Sequence, residues 1–311
     1  MIIDVHSHLF PPEWESSGHL PHDMFEVDVV LARQEEAGID LTIVSDPHIW
    51  YGERDLGDIT VTRAYNDFAA ELTARYPDRL RVLATATPWR GPEHLRETER
   101  AIRELGLPGV AVATSDRGRY LDEVPDEFWE IVTDAGVPVF IHPGGTTVGQ
   151  EFMGEYRLGE LCGRPLDMTL TLSRFILTGT FERHPNVRLL CAHAGGGICM
   201  IANRLDFGHE LRDYRPLGPW GKVHLSAPPS TYVRKLYLDT VTFGPAPLRL
   251  ALETVGSSQV CYGTDGPPLP FPASRGIDTV RAIGADAETT AAILGGNAAA
   301  LFGLTEPTAS R

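Results

Sequence analysis

Lysine is almost missing from this chain: of 27 basic residues only Lys222 and Lys235 are lysines, and arginine carries the rest of the positive charge. Basic residues are themselves outnumbered by 42 acidic ones, for a formal net charge of −15. Such a balance argues against nucleic acid and against an anionic membrane as partners. Long apolar runs are also missing. No stretch approaches the roughly twenty residues of a membrane span, and the chain opens on a strand pattern without the basic, apolar and cleavable parts of a leader, so a cytoplasmic location is expected. The four cysteines, Cys162, Cys191, Cys199 and Cys261, have no short paired spacing and read as reduced core thiols rather than metal ligands.

What the chain does have is 311 residues with 42% apolar content, enough to fill one large core. Eight short β-branched or apolar runs recur at 1–5, 41–45, 80–85, 109–113, 137–141, 187–192, 236–239 and 260–262. Stretches with apolar residues at helical period separate them, at 27–37, 61–76, 92–105, 126–135, 166–183, 198–212 and 246–255. Eight strands in alternation with helices predict an α/β fold of the (β/α)8 TIM-barrel type, with residues 1–304 as a single domain and 305–311 as a disordered tail. Gly38, Gly106, Gly136 and Gly256 each stop a helix just before the next strand, where a left-handed residue is wanted. The opposite loops, 11–24, 46–60, 143–166 and 213–234, are longer, and in such barrels they and the strand C-termini form the active site.

The polar residues that close the strands make a selective set: His6 and His8 at the first, His142 at the fifth, His193 at the sixth and Asp265 at the eighth. Strand alternation puts His6 and His8 on one face with Ser7 on the other, which is how a strand offers two nitrogens to one ion. Each alone has a structural reading, as a hydrogen-bonded strand-end histidine or a capping aspartate. Five at one rim point to a divalent metal, zinc first and iron, cobalt or manganese behind it, held by His6, His8, His142 and Asp265 with one position left open. His193 is then the general base or acid beside the metal, working with Asp265. The run Gly195–Gly197 either brings backbone close to a ligand, with N–H groups for an oxyanion, or is simply a tight strand-to-helix turn.

The segments Asp4-Val5-His6-Ser7-His8, Phe140-Ile141-His142-Pro143, Cys191-Ala192-His193-Ala194-Gly195-Gly196-Gly197, Tyr262-Gly263-Thr264-Asp265 and Gly296-Asn297-Ala298-Ala299 together resemble the amidohydrolase superfamily. Within it they are similar to the branch of amino-carboxymuconate-semialdehyde decarboxylase. The resemblance implies a distorted (β/α)8 barrel with one metal, zinc in that decarboxylase, on the residues matching His6, His8, His142 and Asp265, and a catalytic histidine at His193. Superfamily members with two metals close strand four with a carbamylated lysine, and residues 109–115 contain none. Related hydroxybenzoate decarboxylases carry a glutamate in the first motif and usually manganese, so His6 and His8 favour zinc. Arg204 and Arg212, eleven and nineteen residues beyond His193, match arginines of that branch, where the first reaches a carboxylate in a neighbouring subunit's site. A homodimer is implied.

One departure concerns the substrate. Residues 10–24 are far fewer than in that decarboxylase, and its substrate-binding arginine there has no counterpart. Tyr156 and Trp50, with His19, His22, His48, Tyr51 and Arg54, are candidate replacements on the mouth loops. The expected activity is metal-dependent, non-oxidative decarboxylation of a small unsaturated or aromatic carboxylic acid, with no organic cofactor. The same site could instead direct a metal-bound water onto a lactone, ester or enoic acid, as a hydrolase or hydratase. A third reading is a non-catalytic metal-binding or assembly subunit.

Overall fold

In the computed structural model the described residues are 1–15, 20–46, 55, 57–217, 220–221, 223–267 and 269–304. Ile3–His8 (β1) pairs in parallel with Leu41–Ser45 (β2), and β2 pairs with Leu80–Val82, the first part of the third strand (β3). After a break at Leu83, β3 resumes as Ala84–Thr85 and pairs with Val110–Ala113 (β4). The sheet continues, always parallel, through Val139–His142 (β5), Leu189–Cys191 (β6), Tyr237–Asp239 (β7) and Val260–Cys261 (β8). The ring closes through main-chain bonds between its first and last segments: Val5 N to Tyr262 O at 2.9 Å, Asp265 N to His6 O at 2.8 Å and His8 N to Gly266 O at 3.0 Å. Eight parallel strands in this order form the α/β barrel that the alternating pattern predicts.

Around it lie Val27–Ala37 (α1), Ile59–Arg75 (α2), Pro92–Arg103 (α3), Asp126–Asp134 (α4), Arg164–Leu177 (α5), Ile198–Glu210 (α6) and Pro245–Val255 (α7). Gly38, Gly106, Gly136 and Gly256 all take positive φ, as the helix-stop reading requires. Because helices cover the sheet, strand residues such as Val5, Ile43, Val110, Ile141 and Leu190 are buried on both faces, which explains the continuous apolar runs.

Three boundaries differ from expectation. β1 runs on to His8 instead of stopping at residue 5, so both histidines lie inside the strand, where its register against β2 shifts between Asp4 and Ser7. The helix expected over 166–183 breaks: Thr178 returns its hydroxyl to Arg174 O at 2.7 Å, Gly179 turns at φ 75°, and Thr180–Arg183 forms a separate turn. Helices Ser274–Arg281, Ala287–Ala291 and Asn297–Phe302 follow β8 and were not read from the pattern. The last of these and the π-turn Ala292–Gly296 before it pack on the barrel, since a Cβ on Gly295 would meet Met1 O at 2.2 Å, and Asn297 Nδ2 donates to Ser257 O and Val260 O. No helix among the described residues is long and apolar enough to cross a membrane.

Candidate metal centre

Strand β1, strand β5 and the segment after β8 bring His6, His8, His142 and Asp265 together at the C-terminal end of the barrel. One donor atom from each lies within 4.8 Å of all the others, and all four side chains are buried. Asp265 Oδ1 is 3.2 Å from His6 Nε2 and 3.3 Å from His8 Nε2. His142 ends β5, and its ring centroid is 5.1 Å from that of His6 and 5.2 Å from that of His8. This is the set of residues that the strand-end reading selects.

The neighbours of these rings fix which nitrogen faces inward. His6 Nδ1 donates to Asp239 Oδ2 at 2.6 Å, and His142 Nδ1 donates to Pro143 O at 2.9 Å. A carbonyl and a carboxylate accept, so in both rings Nδ1 carries a hydrogen and Nε2 is the nitrogen that faces the cluster. His8 Nδ1 contacts Ser45 Oγ at 3.0 Å, and that hydroxyl is placed to donate to Ser7 O at 3.3 Å, which favours the same tautomer. His6 Nε2 is buried and makes no hydrogen bond among the described residues. Three inward Nε2 atoms, each held from behind, and one carboxylate oxygen form a donor set that fits a single divalent ion.

Charge agrees with that fit. Burial alone would raise Asp265, but the charge of His6 and the close approach of His193, His6 and His8 outweigh it and hold the carboxyl well below its usual range. Burial would lower His6, yet Asp265 and Asp239 push it up to about 10. His8 is driven down to about 3, by burial first and then by the charge of His6, and His142 falls well below its ordinary value through burial and the charges of its histidine neighbours. His8 and His142 are therefore neutral, and the positive charge on His6 stands where an ion would sit; an ion would displace the Nε2 proton of His6 and free that nitrogen to coordinate.

His193 stands beside this set. Its Nε2 is 3.3 Å from Asp265 Oδ2, and its side chain lines a cleft of about 540 Å³ that opens from the metal cluster. His193 and Asp265 both have positive φ, 53° and 58°, a conformation that non-glycine residues hold only under constraint. For His193 the constraint is Asp239, whose carboxylate accepts the backbone N–H of His193 at 3.0 Å and of Ala194 at 2.7 Å. Asp239 closes β7 and was passed over in the sequence, although the strand-end rule that found the histidines applies to it equally.

The other predicted residues are placed differently. Arg204 is exposed on α6 and does not line the cleft, and Arg212, two residues past the end of α6, donates to His209 O at 2.9 Å. Tyr156 is 82% exposed and also does not line the cleft. His22 pairs with Glu15 at 2.7 Å. Trp50 lies outside the described residues, as do His19, His48, Tyr51, Arg54 and the tail 305–311. The oxyanion reading of the glycine run is corrected: Gly195 N bonds Ala192 O, Gly196 N bonds His193 O and Gly197 N donates to Thr169 Oγ1, so those N–H groups are committed. The run exists for close packing, since a Cβ on Gly196 would lie 2.2 Å from Pro165 O. All four cysteines are free and none belongs to the cluster, but the core reading is corrected for two of them: Cys191 and Cys261 are buried, whereas Cys162 is exposed and Cys199 half-buried.

The family model described as Amidohydrolase matches residues 3–304. The chain is 26% identical to 2-amino-3-carboxymuconate-6-semialdehyde decarboxylase of Dictyostelium discoideum, over 97% of this chain and 91% of the relative. Among solved structures it superposes on 5-carboxyvanillate decarboxylase of Sphingomonas paucimobilis with a TM-score of 0.85 at 22% identity, covering 98% and 99% of the two chains. The dihydroxybenzoic acid decarboxylase of a Polaromonas species, solved with bound manganese, superposes with a TM-score of 0.80 at 23% identity over 97% of each chain.

Proposed function

Because the chain belongs to the amidohydrolase family, we propose that it catalyses metal-dependent, non-oxidative decarboxylation of a small aromatic or unsaturated carboxylic acid. The observation that carries this reading is the cluster of His6, His8, His142 and Asp265 opening onto a cleft beside His193. Similarity to a decarboxylase over nearly the whole chain supports it. The proposed ligands are those four residues. Zinc is the proposed ion, on the strength of three imidazoles and one carboxylate; the manganese in the Polaromonas enzyme makes that ion the alternative to test.

When bound, the ion supplies Lewis-acid polarisation of the substrate's oxygens. The residues of the chain do the rest. Asp265 Oδ2 orients the His193 ring, and Asp239 fixes the backbone beneath it. In the reaction the bond between the substrate carbon and its carboxylate breaks, and its electron pair stays on that carbon. The His193 imidazolium delivers the proton that forms the new C–H bond, and carbon dioxide leaves. The apolar walls of the cleft, including Met200, Phe243 and Leu250, suit a planar hydrocarbon framework.

We assign the working unit as a homodimer. Arg204 lies on α6 between Met200 and Phe207, which are 74% and 58% exposed, and a second copy would bury that face and put Arg204 to use. The function is tested by loading the protein with zinc or manganese and incubating it with hydroxybenzoic and muconic-type acids. Carbon dioxide release with loss of the conjugated absorbance is expected. Ring opening or hydration without carbon dioxide would replace the decarboxylase reading with the hydrolytic one.

A further inference from the structure

The cleft beside the metal cluster, at about 540 Å³, is of the size that holds small molecules, roughly 300–1,000 Å³. Its inner wall is His193 and Asp265, and much of the remainder is apolar, with Leu161, Met200, Phe243 and Leu250. Among the described residues lining it, Arg164 is the single arginine or lysine. A chain with net charge −15 and two buried carboxylates at the site needs a local cation for an organic anion to enter. A guanidinium meets a carboxylate through two parallel hydrogen bonds, which gives orientation as well as attraction.

Packing fixes where Arg164 stands. It opens α5 directly after the π-turn Gly159–Gly163, and the next residue, Pro165, puts its carbonyl where a Cβ of Gly196 would be. One turn later Thr169 Oγ1 accepts Gly197 N at 2.7 Å. The start of α5 is thus docked on the glycine run that follows His193, and Arg164 is carried to the same cleft by contacts that leave no room for a side chain.

From this geometry we propose that Arg164 receives the carboxylate of the substrate, as the binding residue that this chain supplies to its own site. The proposal rests on the decarboxylase reading for its substrate class. Its position explains how a single subunit can select an acid although Arg204 does not line the cleft.

The test is a binding experiment on metal-loaded protein with two probes of nearly equal shape, 2-hydroxybenzoate and the neutral 2-hydroxybenzamide. Wild type should bind the acid at least tenfold more tightly than the amide. Arg164→Met should weaken the acid at least tenfold and leave the amide unchanged, and Arg164→Lys, which keeps the charge without the fork, should fall between. Equal acid affinity in wild type and Arg164→Met overturns the proposal, as does parallel loss of both probes, or a wild type that binds neither or does not distinguish them. Because the contrast is read at equilibrium without turnover, it is separate from the decarboxylase reading, which fails on the absence of carbon dioxide release.

Discussion

Asp239 accepts the Nδ1–H of His6 at 2.6 Å and, through the same carboxylate, the backbone N–H of His193 at 3.0 Å. One fully buried side chain therefore sets both the tautomer of a proposed metal ligand and the backbone of the proposed proton donor. Further bonds from Ala194 N and Val241 N, at 2.7 and 3.0 Å, hold the carboxylate itself.

Substitution at this position should register first in metal affinity. Asp239→Asn keeps the size but places an amide N–H against one of the donors, and loss of such a supporting group costs roughly 10- to 100-fold in affinity. Competition with a chelator measures it. Wild-type affinity in this variant would show that the His6 contact plays no part in holding the ion.

Removing a ligand and removing the proton donor should give separable defects. His142→Ala is expected to lose the ion, its activity and the thermal stabilisation that added metal gives, about 2.7 kcal/mol when the metal is at a hundred times its Kd. His193→Ala should keep one ion per chain while turnover falls by roughly 10²- to 10⁴-fold. Elemental analysis and rates on both variants decide the matter, and an active His193→Ala enzyme refutes the division of roles.

Close packing at Gly196 gives a prediction about stability. With φ at 66° and Pro165 O only 2.2 Å from where a Cβ would sit, Gly196→Ala must move either α5 or the segment after His193. A loss of about 1–3 kcal/mol is expected, from strain and overpacking together. Denaturant midpoints check this, and a neutral result would mean that the docking of α5 is loose.

Acid stability should depend on Glu182. Its Oε1 accepts Ser226 N and Ser226 Oγ, both at 2.7 Å, and the Tyr232 hydroxyl, and these bonds lower its pKa from 4.5. A carboxyl depressed in the folded state stabilises above its unfolded pKa, and that contribution is lost as pH falls through the folded value. The Tm gap between wild type and Glu182→Gln should be full above about pH 5 and shrink below pH 4.5. A gap independent of pH would mean that the charge of Glu182 contributes nothing.

Strand and helix alternation was legible because parallel strands buried on both faces leave apolar runs, as at Val110–Ala113. The convergence of His6, His8, His142 and Asp265 was legible because polar residues that close such runs have few reasons to be there. Asp239 obeyed the same rule, but nothing in its local sequence shows that it reaches across to His6, 233 residues away. Arg164 reads as an ordinary helix-start arginine, and its place becomes visible only with α5 seated on Gly196. The late helices have no further strands between them, so the repeating pattern could not announce them. β1 looked short because His6 and His8 are polar, and polarity normally ends a buried strand.

The hydrogen bonds from Val5, His8 and Asp265 that join the first strand to the last segment have a consequence for biosynthesis. The carboxylate partner of the two proposed coordinating rings is translated 257 positions after His8. Uptake of an ion by the proposed four-residue set would thus follow translation of β8, and fragments ending before β8 would lack one of its four donors.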